Sequence, residues 1–185
     1  MMLEVRLHGR GGQGVVSAAR LIAEAAILEG KYVQAFPEFG AERSGAPIAA
    51  YARLSDEPIE IHSFIYSPDM VVVVDRSMAA LKSTVSGLAR TGSFLSNFEG
   101  SPADLRAKLG LEEGVKAYCI DATGIALKTL GKDIPNTPML GALVKATGIV
   151  SIESMRKVLG ERFKGNVGAG NAEALRLGYE GVKSG

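Results

Sequence analysis

Residues 3–15 read LEVRLHGRGGQGV, and this stretch decides the fold. Leu3 to His8 alternates apolar and polar residues and stops at a glycine cluster, which predicts a short strand that leads into a tight turn. Val15 to Glu29 is rich in Ala, Leu and Ile, contains no Gly or Pro, and precedes Gly30 at the position of a helix C-cap. The stretch therefore predicts a strand, a glycine turn and a helix in direct succession.

A second strand is predicted at Tyr32 to Phe36, where Pro37 stops it. The order of strand, helix and strand implies a right-handed parallel unit. Two short extended runs come next, at 48–54 and 58–61, separated by a turn-like Ser-Asp-Glu. We predict that these two runs form a hairpin inserted after the parallel unit.

Alternation of strands and helices resumes from residue 70. Met70 to Val74 is a continuous run dominated by valine, which predicts a central strand covered on both faces. The remaining elements predicted in this part are a helix at 77–90 and strands at 93–96 and 115–120.

The last third of the sequence predicts helices. Thr137 is expected to cap one helix, with Pro138 at its first position, and Ser151 to cap another that runs toward Gly160. A final helix is predicted at 169–183. We therefore expect the α/β class: a Rossmann-like open sheet, mostly parallel with an inserted hairpin, and a helical C-terminal third. The length fits one compact domain, so residues 1–185 are expected to form a single domain.

The composition excludes several classes of function. Lys plus Arg number 21 and Asp plus Glu number 20, so the chain has no general attraction for nucleic acid or for anionic membranes. Cys119 is the only cysteine, which excludes an intrachain disulfide and the four thiolates that an iron–sulfur cluster normally requires. The N-terminus lacks a signal-peptide pattern, and no run of about eighteen apolar residues occurs. We expect a soluble, cytoplasmic protein.

The glycine loop, residues 9–14, has the chemistry of an anion site. Its G-x-G-x-x-G pattern lies between a predicted strand and a predicted helix, the context that gives the pattern meaning. Glycines let backbone N–H groups approach a ligand, and a helix N-terminus adds unpaired donors and about half a positive charge. The alternative is a tight structural turn without a ligand. The candidate residues for a phosphate or carboxylate contact are Gly9, Arg10, Gly11, Gly12, Gln13 and Gly14.

A dinucleotide is the less favoured ligand for this loop. Such sites need an acidic residue about 20 positions further on, at the end of the second strand, to bind the ribose hydroxyls. Residues 32–36 contain no acid, and Glu38 follows Pro37 in a predicted loop. The glycine pattern alone nevertheless leaves a free-standing NAD- or flavin-dependent oxidoreductase open as a second hypothesis.

Further polar residues are expected near the same sheet edge. The loop 37–45 carries Glu42 and Arg43, which are possible contacts to the same ligand or, alternatively, a surface ion pair. Three other polar residues fall at or near predicted strand ends, where a ligand contact and a helix cap are equally expected. They are Asp75, Asn97 and Asp121.

The sequence contains no pattern for catalysis by this chain alone. His8 and His62 are the only histidines, and the residues around them do not have the spacing of a zinc site. Cys119 lies inside an apolar strand, and neither a G-x-S-x-G elbow nor a P-loop ending in Gly-Lys-Ser or Gly-Lys-Thr is present. Both histidines are therefore expected to be structural.

Four blocks of the sequence resemble the gamma subunit, or gamma domain, of the pyruvate and 2-oxoacid:ferredoxin oxidoreductases, which include pyruvate synthase. The blocks are GRGGQG at 9–14, FGAERSGAP at 39–47, RLSDEPI at 53–59 and NTPMLGA at 136–142. They occur in the family's order and span most of the chain. The resemblance implies a subunit of an enzyme that decarboxylates a 2-oxoacid oxidatively, transfers the acyl group to coenzyme A and reduces ferredoxin.

The resemblance also implies partners and cofactors. Partners of the alpha, beta and delta types are expected, with ferredoxin reached through the complex, which uses thiamine diphosphate, Mg²⁺, iron–sulfur clusters and coenzyme A. The chain lacks the Gly-Asp-Gly motif of thiamine diphosphate enzymes, so it is expected to bind no cofactor by itself and to be inactive alone. Its expected role is to support assembly and, through the glycine loop, the coenzyme A site.

The substrate of the complex is expected to be pyruvate, because the sequence as a whole resembles the pyruvate members of the family. The gamma subunit of an enzyme for 2-oxoisovalerate, 2-oxoglutarate or indolepyruvate is an alternative. A substrate-binding regulatory module is a third hypothesis, and it predicts a stable monomer without partners.

Overall fold

The computed structural model describes residues 1–38 and 45–185. Seven strands are found in these ranges: β1 (Met2–Arg10), β2 (Tyr32–Pro37), β3 (Pro47–Ser55), β4 (Met70–Val73), β5 (Ser93–Asn97), β6 (Lys116–Ile120) and β7 (Lys183–Ser184). Six α-helices accompany them: α1 (Val15–Leu28), α2 (Pro102–Leu109), α3 (Ala122–Leu130), α4 (Asn136–Thr147), α5 (Ile152–Arg162) and α6 (Gly165–Gly181).

All seven strands belong to one sheet with the order β2-β3-β1-β4-β5-β6-β7. The pairs β1–β4, β4–β5 and β5–β6 are parallel, whereas β3 and β7 are antiparallel to their neighbours. Five strands therefore run in one direction and two run against it. The predicted α/β class, a Rossmann-like open sheet with a helical C-terminal third, is confirmed.

The opening third of the sheet differs from the prediction in one respect. β1 and β2 run in the same direction, but β3 lies between them and is antiparallel to both. The predicted hairpin partner at 58–61 was wrong, because this segment forms no strand. Pro58 and Glu60 suit a central strand poorly, whereas β3 is buried from Ala49 to Ser55 and needs a partner on each side.

The core lies on both faces of the sheet. Met70 and Val72 of β4 face a cluster formed with α1, α4 and α5, while Val71 and Val73 face a second cluster formed with α2. All four residues of β4 are inaccessible to solvent, which confirms the predicted strand covered on both faces.

The predicted helix at 77–90 was wrong. The chain forms two short 3₁₀ turns there, Arg76–Met78 and Lys82–Val85. The Nη2 atom of Arg6 donates hydrogen bonds to the carbonyl oxygens of Thr84 and Ser86, the type of acceptor that a continuing α-helix would use internally. A long-range contact therefore replaces the local helix.

The helix ends agree in part with the prediction. Ser151 caps α5 as predicted, because its hydroxyl accepts a hydrogen bond from the N–H of Ser154. α4 begins at Asn136, one residue before the predicted cap Thr137, and α6 begins at Gly165 rather than 169. Helices α2 and α3 and the terminal strand β7 were not predicted.

Candidate functional site

The carboxyl ends of β1 and β4 form a crevice at the point where the strand order of the sheet changes direction. From β1 the chain passes through α1 to β2 and β3 on one side, and from β4 it passes to β5 and β6 on the other. Open α/β sheets bind ligands at such a switch point. The glycine loop follows β1 and Asp75 follows β4, so both lie at this crevice.

Three positions of the loop favour glycine for different structural reasons. A Cβ on Gly9 would lie 2.5 Å from Cγ2 of Val15, and a Cβ on Gly14 would lie 2.5 Å from Nδ2 of Asn136. Gly14 is also the N-cap of α1 and has a left-handed φ of 76°. Gly12 has a φ of 97°, and a Cβ there would meet no atom within 4 Å. The loop is thus packed at both ends and open at Gly12.

The backbone of Gly11 continues the pairing of β1 with β3. Its N–H donates to the carbonyl oxygen of Ala46 at 3.0 Å, and its own carbonyl accepts from the N–H of Gly45 at 3.3 Å. The N–H of Gln13 donates to the carbonyl oxygen of Arg10 at 3.2 Å. The N–H of Gly11, one of the predicted anion donors, is therefore occupied within the chain.

Asp75 provides an anion for the glycine loop from within the chain. Its carboxylate is buried and accepts hydrogen bonds from Nε2 of Gln13 and from the hydroxyl of Ser77. Nε of Arg10 lies 3.5 Å from Oδ1 of Asp75. Burial alone would raise the pKa of Asp75, but the hydrogen bonds from Ser77 and Gln13 and the charge of Arg10 outweigh it and lower the pKa. The carboxylate is thus held ionised at the crevice.

Arg10 and Gln13 connect the loop to its surroundings. Gln13 accepts a hydrogen bond from the N–H of Arg10 at 2.9 Å while it donates to Asp75. Arg10 donates to the carbonyl oxygen of Gly45 at 3.0 Å and to the hydroxyl of Ser77 at 3.1 Å. Its side chain nevertheless keeps 37% of its surface exposed, so part of the side chain stays accessible to a ligand.

Several backbone N–H donors of the loop take no part in these contacts. They belong to Gly12, Gly14 and the first turn of α1, residues 15–17. Within residues 1–38 and 45–185, no hydrogen bond from these N–H groups is formed. A helix N-terminus without an acidic residue in its first turn, as in α1, attracts an anion. The arrangement can hold a phosphate or carboxylate at the open side of Gly12.

The remaining predicted ligand contacts are Glu42, Arg43, Asn97 and Asp121. Glu42 and Arg43 lie outside the described residues. Asn97 accepts hydrogen bonds from the N–H groups of Ala122 and Thr123, and Asp121 accepts one from Gly124, so both residues hold the start of α3. The capping interpretation of these two residues is confirmed.

Sequence reasoning missed two residues of this site. Ser77 hydrogen-bonds to both Arg10 and Asp75, and Asn136 is buried against Gly14. Asn136 belongs to the block NTPMLGA, whose distance in sequence from the loop gave no reason to place it there. The signal that could have been used is Gly14 itself, since a glycine before a helix suggests a close neighbour as well as a turn.

The geometry disfavours a dinucleotide. In a dinucleotide site the acid after the second strand lies beside the first strand, but here β3 separates β2 from β1 by two strand spacings, or about 10 Å. Glu38 instead accepts a hydrogen bond from the hydroxyl of Tyr51 at 2.8 Å. Burial, followed by this hydrogen bond, raises the pKa of Tyr51 to about 12.

The contacts of His8 and Cys119 show the surroundings of these two side chains. Nε2 of His8 accepts a hydrogen bond from Nε of Arg6 at 2.9 Å, and burial together with the charge of Arg6 lowers the pKa of His8 to about 4. Cys119 is fully buried, and burial raises the pKa of its thiol. In the described part of the chain, no group of three His, Cys, Asp or Glu side chains is placed to hold a metal ion. No helix within those residues is long and apolar enough to cross a membrane.

Comparison with protein families and curated proteins gives consistent matches. Residues 4–181 match the family model described as pyruvate ferredoxin/flavodoxin oxidoreductase. The chain is 48% identical to the pyruvate synthase subunit PorC of Methanothermobacter marburgensis, over 98% of both chains. It is 50% identical to the pyruvate/ketoisovalerate oxidoreductases common subunit gamma of Pyrococcus furiosus, over 97% of this chain and 96% of that one.

Solved structures resemble the fold along the whole chain. The pyruvate oxidoreductase subunit PORC of Thermotoga maritima superposes with a TM-score of 0.89 at 45% identity, over 99% of this chain and 98% of the other. A 2-oxoglutarate:ferredoxin oxidoreductase from Magnetococcus marinus, solved with 2-oxoglutarate, coenzyme A and succinyl-CoA bound, gives a TM-score of 0.78 at 25% identity. That match covers 97% of this chain and 30% of the larger one.

Proposed function

Because this chain belongs to the pyruvate ferredoxin/flavodoxin oxidoreductase family, we propose that it is the gamma-type subunit of a pyruvate:ferredoxin oxidoreductase. At the coarser level it is a subunit of a 2-oxoacid:ferredoxin oxidoreductase, like the relatives it matches. The observation that carries the proposal is the match to proteins that are named as subunits, along almost the full length of both chains.

The choice of 2-oxoacid is proposed to be made elsewhere in the complex. The Pyrococcus relative is named as a subunit gamma common to pyruvate and ketoisovalerate oxidoreductases. A subunit of this kind does not need a pocket that distinguishes the side chains of 2-oxoacids. Pyruvate is our proposal because the PorC relatives are named pyruvate synthase subunits.

An iron–sulfur cluster does not fit this chain. Its single cysteine is fully buried, and a cluster normally requires four thiolates. We propose that the partners, of the alpha, beta and delta types, bind the clusters, thiamine diphosphate and Mg²⁺, and that ferredoxin meets the complex rather than this chain. By this proposal residues 1–185 act as one domain and the isolated chain is inactive.

The glycine loop is proposed to contact a phosphate of coenzyme A. The N–H groups of Gly12 and Gly14 and the first turn of α1 would donate to the phosphate, and the exposed side of Arg10 would add a positive charge. Gln13 would shape the loop through Asp75. The Magnetococcus enzyme, which contains a region of this fold, was solved with coenzyme A bound, so coenzyme A is a ligand of an enzyme with such a region.

Purification with native partners tests the subunit assignment. The tagged chain is expected to copurify with larger chains, and the complex is expected to reduce ferredoxin only when a 2-oxoacid and coenzyme A are both present. A monomer that carries a flavin spectrum or binds NAD tightly would instead support the free-standing oxidoreductase. A stable monomer without partners or cofactor would support the regulatory module.

The variant Arg10→Ala tests the contact to coenzyme A. Loss of one charge near a phosphate is expected to raise the KM for coenzyme A by about tenfold, while the KM for pyruvate stays unchanged. Arg176→Ala is the matched control, because Arg176 is an exposed arginine of α6 that pairs with Glu173 and Glu180. An unchanged KM for coenzyme A in an intact Arg10→Ala complex would rule out this role for Arg10.

A further inference from the structure

The two edges of the sheet are protected to different degrees. β7 at one edge has only two residues, one of them Lys183, and short lysine-bearing edges resist pairing with other chains. β2 at the other edge has six residues, YVQAFP, none of them charged. Pro37 lies at the end of β2, and the segment 61–64 contacts the strand on one face, where Nε2 of Gln34 donates to the carbonyl oxygen of Ile61. β2 is therefore the edge on which another strand can pair.

The register of β2 defines which backbone groups point outward. The N–H of Glu38 donates to the carbonyl oxygen of Ala49, directly opposite, so Glu38 belongs to a hydrogen-bonded pair. Such pairs alternate along an antiparallel ladder, which turns the N–H and C=O groups of Phe36, Gln34 and Tyr32 toward β3. The N–H and C=O groups of Val33 and Ala35 point away from the sheet. Neither residue's backbone forms another hydrogen bond within residues 1–38 and 45–185.

A cavity borders this edge on the sheet face that carries Gln34 and Phe36. It has a volume of about 400 Å³ and is lined by Phe36, Phe64, Arg53 and His62, among others. Phe36 stacks on Tyr51 with ring centroids 5.3 Å apart and meets the edge of Phe64 at 6.0 Å. Phe64 is nevertheless 47% exposed, so this aromatic cluster is partly open to solvent.

We propose that β2 pairs with β2 of a second copy of this chain, antiparallel about a two-fold axis through Gln34. In this register Val33 lies opposite Ala35 of the second copy and Ala35 lies opposite its Val33. The outward N–H and C=O groups of both residues then exchange hydrogen bonds in both pairs. The two sheets become one continuous sheet, and the inference does not rest on the proposed function.

The side chains in this register are self-complementary. Tyr32, which is 48% exposed, lies opposite Phe36 of the second copy, on the face of the cavity and the aromatic cluster. Directly opposite aromatic residues of antiparallel strands stabilise the pairing by up to about 1 kcal/mol per pair. Gln34 lies opposite its own copy, and its amide is already held within each chain, where Oε1 accepts from Nη1 of Arg53 and Nε2 donates to the carbonyl oxygen of Ile61. No residue from 32 to 37 is charged, so no like charges meet across the axis.

A second copy of β2 can provide both the backbone groups and the aromatic residues that this edge pairs with. An isologous contact requires that one segment provide both halves of every pair. β2 meets this requirement for its outward backbone groups and for its aromatic residues, Tyr32 and Phe36. The same pairing also covers the open side of the aromatic cluster.

Analytical ultracentrifugation of the full chain tests the pairing. A mass of twice 19.4 kDa is expected, with dissociation on dilution. Tyr32→Lys removes the aromatic pair and places a lysine on the edge, so it is expected to weaken the dimer by about tenfold or more. Leu127→Lys is the matched control, because Leu127 is 51% exposed on α3 and is expected to leave the dimer unchanged.

Residue-resolved amide exchange locates the interface. In the Tyr32→Lys monomer the amides of Val33 and Ala35 should exchange rapidly while those of Gln34 and Phe36 stay protected, and in the dimer all four should be protected. A dimer without protection at Val33 and Ala35, or a chain that stays monomeric at every concentration, would overturn the proposal. Protection of these two amides only within the assembled oxidoreductase would also overturn it, in favour of a strand from another subunit.

Discussion

Removal of the Asp75 carboxylate is the most direct test of how the glycine loop is held. The carboxylate is buried and accepts hydrogen bonds from Gln13 and Ser77, with Arg10 beside it. A net hydrogen bond to a charged group contributes about 1.5 to 3 kcal/mol. With two such bonds lost, we expect Asp75→Ala to lower the free energy of unfolding by about 3 kcal/mol or more. Asp75→Asn keeps the shape and one acceptor, so about 1 to 2 kcal/mol is expected for it.

The pH dependence gives a second measure of the same contact. The pKa of Asp75 is lowered in the folded chain, so its ionised form stabilises the fold above the unfolded pKa of about 3.9, and this stabilisation is lost as the pH falls through the folded value. The difference in unfolding free energy between the native chain and Asp75→Asn should therefore be largest near pH 7 and shrink below pH ~4.

Urea unfolding followed by circular dichroism from pH 7 to pH ~2.5 would measure both effects. Glu161→Gln is the control, because Glu161 is an exposed carboxylate of α5. A loss below about 0.5 kcal/mol for Asp75→Ala, within the usual range of a surface substitution, would refute the reasoning. So would a difference for Asp75→Asn that stays constant across the whole pH range.

Two further predictions concern other residues of the same sheet. Gly14→Ala should lower the free energy of unfolding in urea by about 1 to 3 kcal/mol more than Gly110→Ala does. Both glycines have a left-handed φ, but only Gly14 has a close neighbour, Asn136. Equal losses would show that the contact is unimportant. Burial and the charge of Arg6 lower the pKa of His8 to about 4, so the native chain should lose stability as the pH falls from about 6.5 toward 4. His8→Gln should remove this loss. An unchanged slope of unfolding free energy against pH in this window would contradict the prediction.

Local signals predicted the parts of the fold that local contacts determine. Ser151 caps α5 through a residue three positions away, and the β4 run is apolar because both of its faces are covered. These features are encoded within a few residues of where they act. The same reasoning identified the glycine loop between β1 and α1.

Long-range partners account for what the sequence did not reveal. The helix predicted at 77–90 is replaced by turns whose carbonyl oxygens accept from Arg6, about 80 residues earlier in the chain. The partner of β3 could not be recognised either, because its pairing with β1 joins Met2 to Ser55 across the whole opening third. For the site, the roles of Asp75 and Asn136 depend on which strand and which helix come to lie beside the loop.

The position of β3 links the two proposals made for this chain. By lying between β1 and β2, it moves the second strand away from the glycine loop, and with it the place where a dinucleotide site carries its acid. We propose that the loop is then an anion site without a ribose site, which suits a phosphate of a ligand held mainly by other subunits. The same displacement makes β2 the edge of the sheet and leaves the outward groups of Val33 and Ala35 without a partner strand in the described chain. By these two proposals, the position of β3 both disfavours a dinucleotide site and makes β2 the edge at which two chains pair.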